Sequence, residues 1–267
     1  MDSATFERLR TIVYDSSGIS LRETKEAMVS ARIAKRMRAL GIGTHAEYLH
    51  YLEHDANGDE ITRFLDVIST NVTSFFRESQ HFDFLRDILT ARLRDSTSKI
   101  RLWSAAVSTG EEALSIAMVA HDVLGASPVD CRILATDIST RALINAQQGI
   151  YEAAQMENLP EQMRRRFFTP VRDSDAIRYR ASDEIMRRIV YRRLNLSRPP
   201  FPMRGQLDVV FCRNVMIYFD TAVRERLVAE IYRLLQPGGY LFTGHAESLS
   251  SLKTDFACIR PTIYQKH

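Results

Sequence analysis

Over the first 70 residues, apolar positions recur three or four apart. Phe6, Leu9, Ile12 and Val13 form one stripe, and Val29, Ile33, Met37 and Leu40 form a second. That spacing belongs to one face of an amphipathic helix, and Gly41 stands where the second helix should stop. Further helices are expected over 44–53 and 59–68, with no strand alternation between them. The pattern changes near Lys99. Short apolar runs at 100–104, 132–136, 189–194, 208–212 and 240–243 read as strands, and helical spacing at 111–124, 140–148 and 222–235 separates several of them. Alternating strand and helix predicts a parallel, doubly wound α/β sheet. Pro237-Gly238-Gly239 reads as a tight turn feeding the last of these strands. Residues 256–265 fit a closing antiparallel hairpin.

Two segments interrupt this plan. Residues 69–78, STNVTSFFRE, are polar and then aromatic, and precede a helix expected over 79–94. Residues 151–200 hold a short helical stretch near 160–168 and a period-two stretch around Ile177-Arg178-Tyr179-Arg180. The latter suits a small antiparallel insert on the sheet edge. The expected organisation is a helical domain over 1–70, a linker and helix over 71–98, and an α/β domain over 99–267 with the insert inside 151–200.

Bulk properties narrow the class without naming an activity. The chain has 267 residues, a hydrophobic fraction of 45% and a charged fraction of 26%, ordinary values for a soluble globular protein. Its net charge of +3 does not by itself argue for nucleic acid. Cys131, Cys212 and Cys258 are far apart, with no CxxC pair, which fits a reducing compartment and gives no zinc signature. The opening MDSATFERLR lacks a signal-peptide core, and no apolar run approaches the roughly 18 residues of a membrane span. A cytoplasmic location is expected.

The run IRLWSAAVSTGEEALSIAM at 100–118, read with Ala135-Thr136-Asp137, carries the chemistry. A strand enters a small-residue turn and then a helix, and a second strand ends on a carboxylate. Such a turn lets a ligand approach the backbone and the helix start offers free N–H groups. Its single glycine is no GxGxxG fingerprint, so an ordinary strand–helix connection is the alternative. A carboxylate at the turn repels a diphosphate and attracts an ammonium group, which favours S-adenosylmethionine over NAD or ATP. Glu111 suits that ammonium, and Glu112 suits a helix-capping role. Asp137 suits the ribose hydroxyls, with a helix N-cap as its plainer role.

Further along, LDVVFCRNVMIYFD at 207–220 reads as a buried strand with Arg213-Asn214 at its carboxyl end, where ligands bind in open α/β sheets. Tyr218 lies about one helical turn beyond Asn214; a core aromatic is its alternative. Asn195 follows another strand, as an adenine contact or a turn former. Arg77 reads from the sequence as a surface arginine, although after two phenylalanines it could clamp a carboxylate. Arg32, Lys35, Arg36 and Arg38 crowd one helix, and further arginines gather over 164–193. A basic face is usually solvated, but it also suits an acidic partner.

Taken together, STNVTSFFRE, RLWSAAVSTGEEALSIAM, ATDIS, RRLNL, FCRNVMIYFD and PGGYLFTGHAES resemble the CheR-type chemotaxis receptor methyltransferases over nearly the whole chain. The resemblance implies an S-adenosylmethionine-dependent methyltransferase with a Rossmann-like doubly wound sheet, a small N-terminal all-helical domain and a small β insert. It implies methyl transfer from S-adenosylmethionine to glutamate side chains of chemoreceptors, with S-adenosylhomocysteine as product. By the same resemblance Asn71, Thr73, Arg77, Glu111, Asp137, Asn195, Leu196, Arg213 and Asn214 hold the cofactor, and Arg77 and Tyr218 line the reaction centre. Arg32, Lys35, Arg36 and Arg38 become candidates for docking the acidic signalling domain of the receptor.

The chain departs from the family pattern at Ala106-Val107, where Gly-Cys is frequent, and at Ala113-Leu114, where Pro-Tyr is frequent. Members tethered to a receptor's C-terminal peptide carry a glycine-flanked loop in the insert, and residues 169–182 contain no glycine. An untethered monomer without metal, nucleic acid or membrane insertion is therefore expected. His245 is expected to be structural, because a glutamate carboxylate needs no general base at neutral pH. Two rivals remain. An amino-methylating nucleic-acid enzyme needs Asn or Asp before Pro-Pro-aromatic, but Arg198 precedes Pro199-Pro200-Phe201, and no cysteine follows a proline as a cytosine C5 enzyme requires. A binding module without activity is the other.

Overall fold

A computed structural model describes residues 1–69, 71–173 and 176–267. Thr70 in the STNVTSFFRE stretch, and Ser174 and Asp175 in the 169–182 stretch, lie outside the described residues. The chain opens with α1 (Ser3–Ser17), α2 (Glu26–Leu40), α3 (His45–Glu53) and α4 (Asp59–Ile68). Local signals set their ends. Asp2 accepts the Thr5 N–H at 2.8 Å, Gly18 ends α1 in the left-handed region, and Thr44 with Glu47 forms a capping box on α3. The two apolar stripes meet in one core where Phe6, Leu9, Val13, Val29, Ile33 and Phe64 are buried together. Glu60 is buried in that core, and Arg36 (2.8 and 3.0 Å) and the Tyr48 hydroxyl (2.9 Å) both donate to it.

Next come α5 (Gln80–Arg94), β1 (Lys99–Ala105), α6 (Glu111–Leu124), β2 (Asp130–Asp137), α7 (Thr140–Gln148) and β3 (Ile150–Glu152). The chain continues through α8 (Glu161–Phe167), β4 (Phe168–Asp173), β5 (Ala176–Ala181), α9 (Asp183–Met186), β6 (Ile189–Arg193) and β7 (Leu207–Cys212). It closes with α10 (Thr221–Leu234), β8 (Leu235–Thr243), β9 (Ala257–Arg260) and β10 (Ile263–Gln265). The large sheet runs β6-β2-β1-β7-β8-β10-β9, parallel from β6 to β8 and antiparallel in the final hairpin. Strand alternation feeds two cores. Ile100 and Leu102 pack with residues of α5 and α6, while Trp103 and Ala105 pack with Leu227 and Ile231 of α10. From β1 the chain steps outward through β2 to β6, then returns to β7 on the other side. The strand order therefore reverses between β1 and β7, the place where open α/β sheets form their ligand crevice.

One feature differs from the sequence-based expectation, and two others refine it. The last parallel strand begins at Leu235 rather than at 240, and Pro237-Gly238-Gly239 is a bulge inside it. The register jumps from Leu207↔Leu235 to Val209↔Tyr240, and Gly238 donates to the Lys266 carbonyl at 2.8 Å. Gly238 has φ 76°, which glycine adopts without penalty. The insert is a three-stranded sheet of order β3-β5-β4, with β3 preceding the period-two stretch. The segment after Ser69 packs with the sheet: Phe75, Phe82 and Leu85 belong to the core under β1. Among the described residues, no helix is long and apolar enough to cross a membrane.

Candidate active site

A cleft of about 480 Å³ opens at the carboxyl ends of β1, β2 and β7 and is covered by residues of 17–28 and 68–77. That volume suits a small-molecule ligand. The turn after β1 runs close to Ala146 and Tyr151. Ala106 and Ser108 adopt φ 66° and 53°, and Gly110 has φ 101°. A Cβ on Gly110 would stand 2.8 Å from the Tyr151 hydroxyl and 2.9 Å from Ala146 Cβ, so only glycine fits. Asp137 ends β2 inside the cleft, its Oδ2 accepting the Ser108 N–H at 2.8 Å and its Oδ1 the Ser139 N–H at 2.9 Å. Burial pushes its carboxyl up, while these N–H groups pull it back. Each oxygen keeps a second acceptor site, enough for two vicinal hydroxyls.

Neither turn acid takes the role the sequence suggested. Glu111 does not line the cleft; it is buried on the other side, where Thr109 Oγ1 (2.6 Å) and Gln155 Nε2 (2.9 Å) donate to it. Glu112 lines the cleft and is no cap. It accepts from Ser104 Oγ at 2.7 Å and faces the Arg213 guanidinium at 3.2 Å. Neighbouring helical residues differ in direction by about 100°, and the packing of α6 decides which acid points at the ligand.

Arg213 is the hub of the charged wall. Its side chain is 1% exposed and lies between Glu112 (3.2 Å) and Glu78 (3.1 Å), and it also donates to the Arg77 carbonyl. Burial opposes ionisation of Glu78, but Arg213 and the His245 N–H hold its carboxyl below the usual range. Burial raises the Glu112 carboxyl, with Arg213 opposing. Under this wall His81 is fully buried. Burial first, and then Arg213, pushes its imidazole down to about 4, so it is neutral. Glu78, His81 and His245 bring donor atoms within 4.8 Å of one another, a spacing a metal could accept. Glu78 already faces a guanidinium, however, and a second cation there would be repelled. Phe76, Glu78, Ala106, Ser108 and Asn214 all have positive φ in the segments that wall the cleft. Such strained backbone persists where surrounding contacts over-determine it.

The other expected residues are distributed unevenly. Asn71, Thr73, Arg77, Asn195, Leu196, Asn214 and Tyr218 line the cleft with Asp137 and Arg213. Arg77 is exposed at the mouth, where it donates to the Val72 carbonyl at 3.2 Å. The Asn195 amide does not reach inward as an adenine contact would: it donates to the Ser16 carbonyl at 2.8 Å and accepts from Ser197. It thus fastens the helical domain to the sheet. Ser20 N–H adds a bond to the Tyr218 carbonyl at 2.8 Å, and Ile19 bridges Phe219. None of Arg32, Lys35, Arg36 and Arg38 lines the cleft. Arg36 is paired with Glu60, and Arg32 donates to the Ile68 carbonyl at 2.6 Å, so both turn into their own domain. Lys35 and Arg38 remain exposed on α2.

The sequence assigns Glu112 to capping and marks neither Glu78 nor the covering segment 17–28. Glu112 carried a signal in its adjacency to Glu111, but helix phase is invisible without the partner strands. The covering segment has no periodicity to mark it. It contributes Ile19, Ser20, Leu21, Arg22 and Lys25 to the cleft by tertiary placement alone.

Residues 71–265 match the family model described as CheR methyltransferase, SAM binding domain, and residues 4–69 match CheR methyltransferase, all-alpha domain. The chemotaxis protein methyltransferase of Escherichia coli (strain K12) is 37% identical over 265 residues, covering 99% of this chain and 91% of that protein. Chemotaxis protein methyltransferase 2 of Pseudomonas aeruginosa is 36% identical, covering 97% and 91%. The chemotaxis protein methyltransferase of Borreliella burgdorferi is 34% identical, covering 97% and 93%. Among solved structures, the magnesium protoporphyrin IX methyltransferase of Synechocystis PCC 6803 with bound SAM gives a TM-score of 0.34 at 14% identity. It covers 69% of this chain and 70% of that one.

Proposed function

The chain belongs to the CheR methyltransferase family, and on that premise we propose that it methylates glutamate carboxylates of chemoreceptors to methyl esters. Its methyl donor is S-adenosylmethionine. The observation that carries the reading is the presence of two acids, Asp137 and Glu112, in one cleft that Arg77 and Tyr218 also line. The donor set fits this cofactor. Asp137 has acceptor sites left for the ribose, Glu112 offers negative charge to the ammonium, and the single-glycine turn makes no diphosphate cradle. Asn71, Thr73, Leu196 and Asn214 also line the cleft. Glu111 and Asn195 act one step back, by holding the turn and the domain seam.

Held by Asp137 and Glu112, S-adenosylmethionine would supply the methyl group to the carboxylate oxygen, its carbon–sulfur electron pair remaining on sulfur. The acceptor is already ionised at neutral pH, so no residue of this chain is asked to remove a proton. The protein positions the reactants and excludes water. Arg77, an exposed guanidinium at the mouth, orients the incoming carboxylate, and Tyr218 positions the attacking oxygen. Lys35 and Arg38 are the residues of α2 left to meet an acidic receptor helix; no tether to a receptor C-terminal peptide is invoked.

The test is transfer of labelled methyl to chemoreceptor-containing membranes, followed by mild alkali. Label released as volatile methanol is expected, as a carboxyl methyl ester requires. Label that enters protein but resists alkali marks a nitrogen, carbon or sulfur acceptor and overturns the reading.

A further inference from the structure

The loop that carries Arg213, Asn214 and Tyr218 into the cleft is held from behind by one buried carboxylate. Glu247 is 1% exposed and stands outside the cleft lining. Its Oε2 accepts the backbone N–H of Asn214 at 2.5 Å and of Gly244 at 2.8 Å, and its Oε1 accepts the N–H of Ile217 at 3.2 Å. Asn214 sits at φ 58°, a conformation that needs outside support in a residue with a side chain. Gly244 makes the approach possible. A Cβ there would stand 2.4 Å from Asn214 Nδ2 and 2.7 Å from Glu247 Oε2.

We propose that Glu247 is a positioning residue: its carboxylate fixes the 213–218 loop so that Arg213, Asn214 and Tyr218 face the cofactor. The chemistry calls for a carboxylate. Three N–H donors converge on it, and a carboxylate offers acceptor oxygens on both sides, whereas an amide offers one oxygen and turns an NH₂ group against a donor. The inference rests on the cleft being the cofactor site, so its test includes a marker for that premise.

The experiment measures S-adenosylhomocysteine affinity by calorimetry, and kcat and receptor KM, for wild type, Glu247→Gln, Glu230→Gln and Asp137→Ala. Glu230 is the control. It is also a buried acid accepting a backbone N–H, from Phe201 at 2.7 Å, but it lies away from the cleft. Glu247→Gln is expected to weaken binding about tenfold or more, the scale of losing hydrogen bonds to a charged acceptor, and to lower kcat with receptor KM unmoved. Glu230→Gln is expected to bind as wild type does. Asp137→Ala weakened with Glu247→Gln unchanged overturns the role of Glu247 alone. Equal losses in Glu247→Gln and Glu230→Gln also overturn it, because the effect is then global. Asp137→Ala binding as wild type overturns the cleft as cofactor site, and the proposal with it.

Discussion

On the sheet side of the cleft, Arg213, Glu112 and Asp137 are largely withdrawn from water, and each is tied to a partner within 3.2 Å. On the helical side, Arg22 and Lys25 are exposed, and the wall is held at its seam by hydrogen bonds that join main-chain groups to each other and to side chains. Backbone carbonyls of α1 recur in that seam: Asn195 donates to Ser16 and Arg198 to Asp15 at 2.6 Å. The contrast separates two tasks. A wall that recognises charge must have its charges fixed before the ligand arrives, because reorganising them would cost binding energy. A wall that covers the site can stay exposed, and hydrogen bonds between distant parts of the chain hold it at its seam.

Breaking the buried wall should cost most. Arg213→Met removes the buried cation between Glu78 and Glu112, leaving two half-buried acids without their guanidinium. A loss of about 3–5 kcal/mol in urea unfolding is expected, the scale for orphaning a buried charge; a change under about 1 kcal/mol would show the acids find other support. His81 gives the same wall a pH signature. Its imidazole falls from about 6.5 in the unfolded chain to about 4 in the fold, so the unfolded state binds the extra proton between those values. Stability is therefore lost as pH falls through that window. The difference between wild type and His81→Gln should shrink by at most about 3 kcal/mol from pH 7 to pH 4. Parallel stability–pH curves for the two proteins would remove His81 as the cause.

Ligand recognition comes next. Asp137→Ala should weaken S-adenosylmethionine binding by roughly 1.5–3 kcal/mol, the range for charged hydrogen bonds, and unchanged calorimetry would end the ribose role. The helical wall is probed by Gly18→Ala. At φ 72° the added Cβ would lie 2.4 Å from Ser197 Cβ, pushing α1 off the sheet. About 1–3 kcal/mol of stability should be lost; a melting temperature equal to wild type would mean the seam yields freely. The smallest thermodynamic effect should come from the open surface. Reversing both Lys35 and Arg38 to Glu is expected to raise receptor KM several-fold and leave cofactor affinity alone. An unmoved KM would place receptor docking on another face.

Much of the fold was legible because hydrophobic period reports element type directly. The stripes of Phe6–Val13 and Val29–Leu40 and the runs at 100–104 and 208–212 appear as helices and strands close to their expected bounds. The bulge at Pro237-Gly238-Gly239 was not legible, since the same residues make a turn wherever no neighbouring strand offers hydrogen bonds. At the site, Asp137, Arg213 and Asn214 could be found because strand ends in an alternating α/β pattern point to one crevice. Lys35 and Arg38 could not be told apart from Arg32 and Arg36 until Glu60 and the carbonyls ending α4 stood opposite the latter two.

The sequence by itself determined the kinds of elements and their alternation, because these depend on spacing and local propensity, and it pointed to the family through several motifs that resemble it in the same order along the chain. Only the tertiary structure decided that Glu112 rather than Glu111 faces the cleft, that Asn195 binds α1, and that residues 17–28 cover the site. Those choices depend on helix phase and on contacts between residues more than 100 positions apart, such as Asn195 with Ser16. Such contacts exist only after packing has set which face of each element is buried.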